Sequence, residues 1–258
     1  MLPSLPLYLL FALLGAAMGS FAALLPERLI RREGFVTGGS HCRKCRTPLT
    51  ARDLVPLASY LVLRGRCRHC GTAIPSVLWQ AEILGALMGL AAAWAAPDPA
   101  RALLLGLWMW TLLALAVADL RWFRLPEPLM AVAAALGLAL SLAGDGSGWP
   151  DLAQRVTWAL WGAAIGGGVF WLIRAGYGFF TGREGMGFGD VMMIATLGLA
   201  LGAVRLPLVV LFGAGTALVL TLLRARRKGR SVRRLGRLPF GAALALAGAL
   251  VAVLPSAY

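Results

Sequence analysis

Two aspartates lie where a carboxylate could do chemistry in an otherwise apolar chain. Asp119 ends the apolar run LLALAVAD, and Asp190 ends the glycine-rich segment GMGFGD. A carboxylate is costly to bury at a membrane boundary, so it usually lines a polar cavity or takes part in catalysis. Two carboxylates a few ångströms apart would share one proton and could act as base and acid on a water and a peptide carbonyl. The pair therefore predicts an intramembrane aspartic protease.

The loop before Asp190 is rich in glycine, with glycines at 185, 187 and 189. Glycine permits positive φ and has no side chain, so an extended substrate backbone could approach this loop closely. We predict that Gly187 and Gly189 contact the substrate. Asp190 is equally compatible with a simple N-cap of the helix that follows it.

Composition places these residues in a membrane. Of the 258 residues, 59% are hydrophobic and only 14% are charged, which excludes an ordinary soluble domain. The continuous apolar runs predict an all-α polytopic bundle of about eight transmembrane helices and disfavour a β-barrel. The predicted spans are 5–27, 76–96, 101–118, 126–144, 152–173, 188–204, 206–223 and 238–254.

The net charge of +14 predicts an orientation rather than a nucleic-acid partner. If the N-terminus lies outside, the loops 28–75, 119–125, 174–187 and 224–237 fall on one side. They contain all Lys and Arg residues except Arg101, Arg155 and Arg205. Positively charged loops face the cytoplasm, so both aspartates and the 28–75 loop are predicted to be cytoplasmic. The basic run 224–237 is best explained as a topology signal that contacts anionic lipid.

All four cysteines lie in the 28–75 loop, as Cys42-x2-Cys45 and, after a gap of 21 residues, Cys67-x2-Cys70. Two such pairs can complete a tetrahedral four-sulfur site, and structural disulfides are rare in the cytoplasm. We predict a small zinc-binding domain whose closed ligand set leaves no position for a catalytic water. Disulfides and a redox dithiol stay as alternatives, and His41 and His69 are interpreted as surface residues.

The motifs along nearly the whole chain resemble those of the type IV prepilin leader peptidases. GMGFGDVMMIATLGLALG resembles the family's GxGD motif, and ADLRWFRLPEPL resembles its other catalytic segment. GSF at 19–21 and the terminal LPFGAALALAG are similar to the signatures of its first and last spans. The four-cysteine loop, with DLVPLASYLVLRGRC, also matches.

This resemblance implies an enzyme of the bacterial inner membrane that cleaves the leader from prepilins or pseudopilins at the cytoplasmic face. It implies that Asp119 and Asp190 are the catalytic residues. Many members also N-methylate the new N-terminus with S-adenosylmethionine, and Glu82 is the matching candidate for that half of the activity. Membrane lipid and the prepilin-like substrates are the expected partners, with no nucleic acid. The expected domains are the first helix at 1–27, the zinc-binding domain at 28–75 and the protease core at 76–258.

Four departures from the family pattern bear on these expectations. Glu127 replaces the usual Asp of the Leu-Pro-Asp segment and keeps its charge, whereas Met192 replaces a frequent Lys. No Asn follows Phe21 in the first span, and residues 77–79 read Val-Leu-Trp in place of Arg-Tyr-Pro. The last two losses fall in the methyl-transfer half, so a peptidase without methyltransferase activity is one alternative. A proton-coupled transporter and a zinc-stabilised scaffold are the alternatives from other classes.

Overall fold

The computed structural model describes residues 5–31, 39–144, 151–183, 185–228 and 238–255. Two stretches lie outside the described residues: 32–38, which belongs to the predicted cysteine loop, and 229–237, which belongs to the basic run. Within them, the chain is helical, with a short 3-10 turn at Ala51–Leu54 and two isolated β-bridges. The helices are α1 (Leu5–Arg31), α2 (Ala58–Val62), α3 (Ser76–Ala95), α4 (Pro99–Trp122), α5 (Glu127–Ala143), α6 (Leu152–Thr181), α7 (Phe188–Lys228) and α8 (Phe240–Val253).

The predicted all-α membrane fold is confirmed. In the part of the chain that the structure describes, five helices are long and apolar enough to cross a bilayer, namely α1, α3, α4, α6 and the stretch Phe188–Val219 of α7, while α5 and α8 are apolar but shorter. Each of the eight predicted apolar segments is helical over most of its length.

The boundary between the predicted sixth and seventh spans is placed differently by the structure. We expected the break at Val204–Pro207, but the one non-helical residue inside α7 is Gly202, with φ 69° and ψ 168°. An L-residue is strained at positive φ, and glycine is not, so the chain turns at the glycine. Pro207 lies inside the helical segment that follows.

The chain divides into two compact units, Met1–Ala114 and Leu115–Tyr258. In the first unit, α1 and α3 pack backbone against backbone. A side chain on Gly15 or Gly19 of α1 would meet the backbone of α3 at Gly85 or Ala81, and one on Gly89 of α3 would meet Phe11. Small residues at such crossings let two helices approach closely in a membrane.

The second unit is built from α5 to α8, together with the last turns of α4. α6 and α7 cross where Gly162 and Gly198 face each other, again with no room for a side chain on either. α8 packs on α7 through Gly248, which lies against Leu197, and Leu244, which lies against Gly213. Nine of the fourteen α8 residues are buried, so this helix forms part of the interior of the unit.

Candidate active site and metal centre

The two aspartates come together in the second unit. Asp119 lies in the last turn of α4 and is 7% exposed, while Asp190 lies in the first turn of α7. Asp119 Oδ2 and Asp190 Oδ1 are each 3.2 Å from the point where a Cβ on Gly241 would stand. The two carboxylate oxygens are therefore separated by no more than twice that distance, which is close enough for one water to contact both.

The first turn of α8 contributes directly to this pair. The backbone amide of Ala242 donates a hydrogen bond to Asp119 Oδ2 at 2.8 Å. The first four amides of a helix have no partner inside the helix, and they carry its partial positive charge. Asp119 therefore lies at an anion-binding position supplied by backbone.

The segment after α4 closes the site on another side. Phe123 adopts φ 52°, a left-handed conformation that is uncommon for a residue with a side chain, and its amide donates to the Asp119 carbonyl. The chain thereby turns sharply after α4 and brings Leu125 against two glycines. A Cβ on Gly189 would stand 3.1 Å, and one on Gly241 3.2 Å, from Leu125 Cδ1.

The glycine-rich loop is held by α6. Arg174 Nε donates to the carbonyl of Met186 at 3.1 Å, and its guanidinium lies 5.8 Å from the ring centre of Phe188. Gly185 lies against the Tyr177 ring, where a side chain would clash. None of the glycines at 185, 187 and 189 adopts positive φ, so the conformational freedom that we expected them to provide is not used. Gly185 and Gly189 instead allow close approach.

Gly187 and Gly189, the predicted substrate contacts, differ in their surroundings. Gly187 is exposed, and among the described residues beyond its chain neighbours a side chain there would meet only Asp190 Oδ2, at 3.7 Å. Gly189 is half-buried against Leu125. The open flank of the aspartate pair is therefore on the Gly187 side of the loop.

The four cysteines form a compact cluster in the first unit. They are free thiols, and their Sγ atoms all lie within 4.8 Å of one another. Cys42 and Cys70 are 3.8 Å apart, and Cys45 and Cys67 are 4.0 Å apart. Tetrahedral zinc with Zn–S bonds of about 2.3 Å would place neighbouring sulfurs about 3.8 Å apart, so the cluster fits such an ion.

The two cysteine pairs share one backbone geometry. Cys42 N donates to Thr47 O, and Cys67 N donates to Thr72 O, at 3.0 and 2.8 Å. The residue after each second cysteine, Arg46 or Gly71, adopts a left-handed conformation with φ 56° or 67°. A hydrogen bond with the Thr72 hydroxyl is the main cause that lowers the pKa of the Cys70 thiol to about 6, which favours the metal-binding thiolate form.

Three contacts attach the cysteine loop to the helices of its own unit. Arg43 forms an ion pair with Glu27 of α1 at 2.6 Å. The Leu57 amide donates to Glu82 Oε2 of α3 at 2.7 Å, and Tyr60 stacks on Trp79 of the same helix with 5.7 Å between ring centres. Glu82 is 9% exposed, and among the described residues the Leu57 amide is its one hydrogen-bond partner.

Sequence reasoning did not find several residues that shape the aspartate site, namely Gly241, Ala242, Leu125, Arg174 and Tyr177. Gly241 and Ala242 lie in the segment LPFGAALALAG, whose resemblance to a family signature was the available signal. Leu125 lies in the segment ADLRWFRLPEPL, which carried a similar signal. Arg174 and Tyr177 had none, because an Arg and a Tyr at a helix end are ordinary features of a membrane interface.

Fold and site together are those of a helical membrane protein with a two-carboxylate centre, the arrangement of an intramembrane aspartic peptidase. Residues 106–222 match the model of the Type IV leader peptidase family, and residues 13–96 match that of the Bacterial Peptidase A24 N-terminal domain. The chain belongs to the type IV leader peptidase family.

Curated relatives agree with this assignment. The chain is 36% identical over 213 residues to the prepilin leader peptidase/N-methyltransferase of Aeromonas hydrophila, covering 81% of this chain and 69% of that protein. It is 34% identical over 211 residues to the protein of the same name from Pseudomonas putida, with the same coverage. The corresponding protein of Dichelobacter nodosus is 30% identical over 226 residues, covering 88% and 74%. No solved structure matches the chain.

Proposed function

We propose that this protein cleaves the leader peptides of prepilins or pseudopilins at the cytoplasmic face of the bacterial inner membrane, with Asp119 and Asp190 as its catalytic residues. The observation that carries the proposal is the approach of Asp119 Oδ2 and Asp190 Oδ1 to one point beside Gly241. Family membership and the relatives' names supply the substrate class.

The chemistry follows from two carboxyl groups that share one proton. The ionised group takes a proton from a water while the protonated group donates to the peptide carbonyl oxygen, and the hydroxide adds to the carbonyl carbon. The C–N bond then breaks, the amine leaves with a proton returned by the pair, and the leader keeps the new carboxylate. Gly187 and Gly189 are the proposed contacts of the substrate backbone on the open flank of the pair.

The test is leader cleavage in membranes that contain Asp119→Asn or Asp190→Asn. Asparagine keeps the size of the side chain but cannot exchange the proton, so we expect cleavage to fall by about a thousandfold or more, within the range of acid–base catalysis. Asp151→Asn is the matched control, because Asp151 is exposed and makes no side-chain cap for α6. Cleavage that persists in both variants at Asp119 and Asp190 would refute the proposed mechanism.

We propose zinc as the metal of the four-cysteine cluster and a structural role for it. Cys42, Cys45, Cys67 and Cys70 would supply four thiolates, which close a tetrahedral shell and leave no position for a water. The ion would hold the two cysteine pairs together and so order the loop between α1 and α3.

Methylation of the new N-terminus is the second half of the proposal. S-adenosylmethionine would supply an electrophilic methyl group on a positively charged sulfonium. Glu82 is the residue of this chain that fits a cation, because its buried carboxylate has one backbone amide as its partner among the described residues. Trp79 lies one turn before Glu82 on α3, where its ring packs against Tyr60.

We infer from the charge distribution that the N-terminus lies outside and that the cysteine loop and the aspartate pair face the cytoplasm. The basic loops at 28–75, 119–125, 174–187 and 224–237 support this orientation. The expected partners are the prepilin-like substrate and the lipid that surrounds the exposed apolar helix faces.

A further inference from the structure

Gly241 differs from the two glycines at the crossing of α6 and α7. A Cβ on Gly162 or Gly198 would collide with the backbone of the facing helix, which is the usual reason for a glycine at a helix crossing. A Cβ on Gly241 would meet no backbone atom among its three nearest neighbours. It would meet one oxygen of Asp119, one oxygen of Asp190 and a methyl group of Leu125, all at 3.2 Å.

The point that this Cβ would occupy is one C–C bond length, about 1.5 Å, from the Gly241 Cα, so a water would lie not at the point itself but just beyond it, in contact with the Cα. Catalytic hydrogen bonds join heavy atoms about 2.6–3.2 Å apart, so a water oxygen near this point would reach both carboxylates. The Leu125 methyl group covers a further side of the point. Because Gly241 has no side chain, a small space remains beside it, and this space is bounded by the two carboxylates and the Leu125 methyl group.

The next residue of α8, Ala242, holds one of the two carboxylates that bound this space. The Ala242 amide donates to Asp119 Oδ2, the same oxygen that lies 3.2 Å from the Gly241 point. A hydrogen bond from a helix N-terminus favours the ionised form of the acceptor and restricts its orientation. Asp119 is therefore placed to act as the base toward a water beside this point, and Asp190 is left as the group that carries the shared proton.

We propose that the first turn of α8 is a third component of the catalytic centre: Gly241 is a positioning residue whose missing side chain leaves the place of the attacking water. This inference rests on the proposed peptidase function. It adds that the Ala242 amide aims the Asp119 carboxylate at that water.

The first test is Gly241→Ala, assayed for leader cleavage in purified, detergent-solubilised protein. The added methyl group would overlap a water that lies against the Gly241 Cα, so we expect kcat to fall by about a hundredfold or more while KM changes less than threefold. Alanine favours the helix over glycine, so the thermal unfolding temperature is expected to stay the same or rise. Gly215→Ala in α7 is the control, because among the described residues a Cβ there has no atom within 4 Å apart from its own helix, and its cleavage rate should equal that of the wild type.

A pair of substrate-like inhibitors separates a water site from a packing role. One carries a hydroxyl group at the scissile position, where it replaces the water, and its partner has a methylene there. The wild type should bind the hydroxyl compound at least tenfold more tightly, and Gly241→Ala should bind the two compounds equally.

Three outcomes would overturn the inference: full kcat in Gly241→Ala, an unchanged preference for the hydroxyl compound, or an equal loss of binding for both compounds together with a lower unfolding temperature. Each is distinct from a failure of the proposed function, which would appear as cleavage that survives Asp119→Asn and Asp190→Asn. If those two variants are inactive and Gly241→Ala is fully active, the peptidase assignment stands and the role of Gly241 is wrong.

Discussion

At the scale of single residues, part of the aspartate site in the second unit is formed by backbone atoms, whereas sequence analysis can recognise only side chains. The aspartate pair was predictable from residue types, because a carboxylate at the end of an apolar run is rare and costly. The immediate environment of the pair was not predictable in this way. Gly241 matters because it has no side chain, and Ala242 matters through its backbone amide, which every non-proline residue has. Neither feature has a chemical signature in a sequence, and only the path of α8 brings them to Asp119.

Glu82 permits a prediction that separates charge from hydrogen bonding. Glu82→Gln keeps an acceptor for the Leu57 amide and removes the charge, whereas Glu82→Ala removes both. If the charge holds a sulfonium or ammonium group, both variants should lose methylation by about tenfold or more, since hydrogen bonds to charged groups contribute about 1.5–3 kcal/mol. The readout is the mass of the cleaved product, with and without the added methyl group.

Binding measurements add a readout for Glu82 that does not depend on turnover. The wild type should prefer S-adenosylmethionine over S-adenosylhomocysteine, which lacks the positive sulfonium, and Glu82→Gln should reduce that preference. Leader cleavage should persist in both variants, because the aspartate pair lies in the other compact unit. Normal methylation in Glu82→Gln together with a loss in Glu82→Ala would mean that Glu82 only anchors Leu57.

At the scale of elements, the helices were predicted well and their interruptions less well. Apolar runs define helices in a membrane because every backbone polar group must find a partner inside the segment. The break in α7 depends instead on one residue with positive φ, and either of the two glycines in GLALGAV could have provided it. We placed the break at the charged and proline-containing stretch Val204–Pro207, and the structure places it at Gly202.

The cysteine loop yields a prediction about the metal. Purified protein should contain about one zinc ion per chain, and Cys42→Ser or Cys67→Ser should remove most of it, because each takes one thiolate from a four-ligand shell. Zinc contributes about 10 kcal/mol or more to the folding of small zinc domains, so the loop should become open to proteolysis between 39 and 75.

The serine variants also separate this loop from the peptidase site. Leader cleavage should fall much less than in Asp119→Asn, since the cysteines and the aspartate pair belong to different compact units. Zinc content is measured by elemental mass spectrometry and loop opening by limited proteolysis. Purified protein with two disulfides and no zinc would contradict the metal assignment, and it would require the Sγ atoms to move closer than the observed 3.8 and 4.0 Å.

At the scale of the whole molecule, composition determines the environment and charge determines the orientation. α6 is suited to test the orientation because it has 30 residues, about 45 Å at 1.5 Å per residue, which exceeds the roughly 30 Å hydrocarbon core of a bilayer. Its two ends must therefore face opposite sides. Arg183 follows the end that we assign to the cytoplasm, and Asp151 precedes the end that we assign to the outside.

Introduced cysteines at the two ends of α6 should be accessible from opposite sides. We expect Ala153→Cys to react with a membrane-impermeant maleimide in cells with a permeabilised outer membrane, and Arg183→Cys to react only after the inner membrane is opened. Both positions are exposed in the structure. The wild type is the control, because its four cysteines should stay unlabelled from outside if their loop is cytoplasmic. Labelling of Arg183→Cys but not Ala153→Cys in unopened cells would reverse the orientation and move the aspartate pair to the face where no leader peptide is expected.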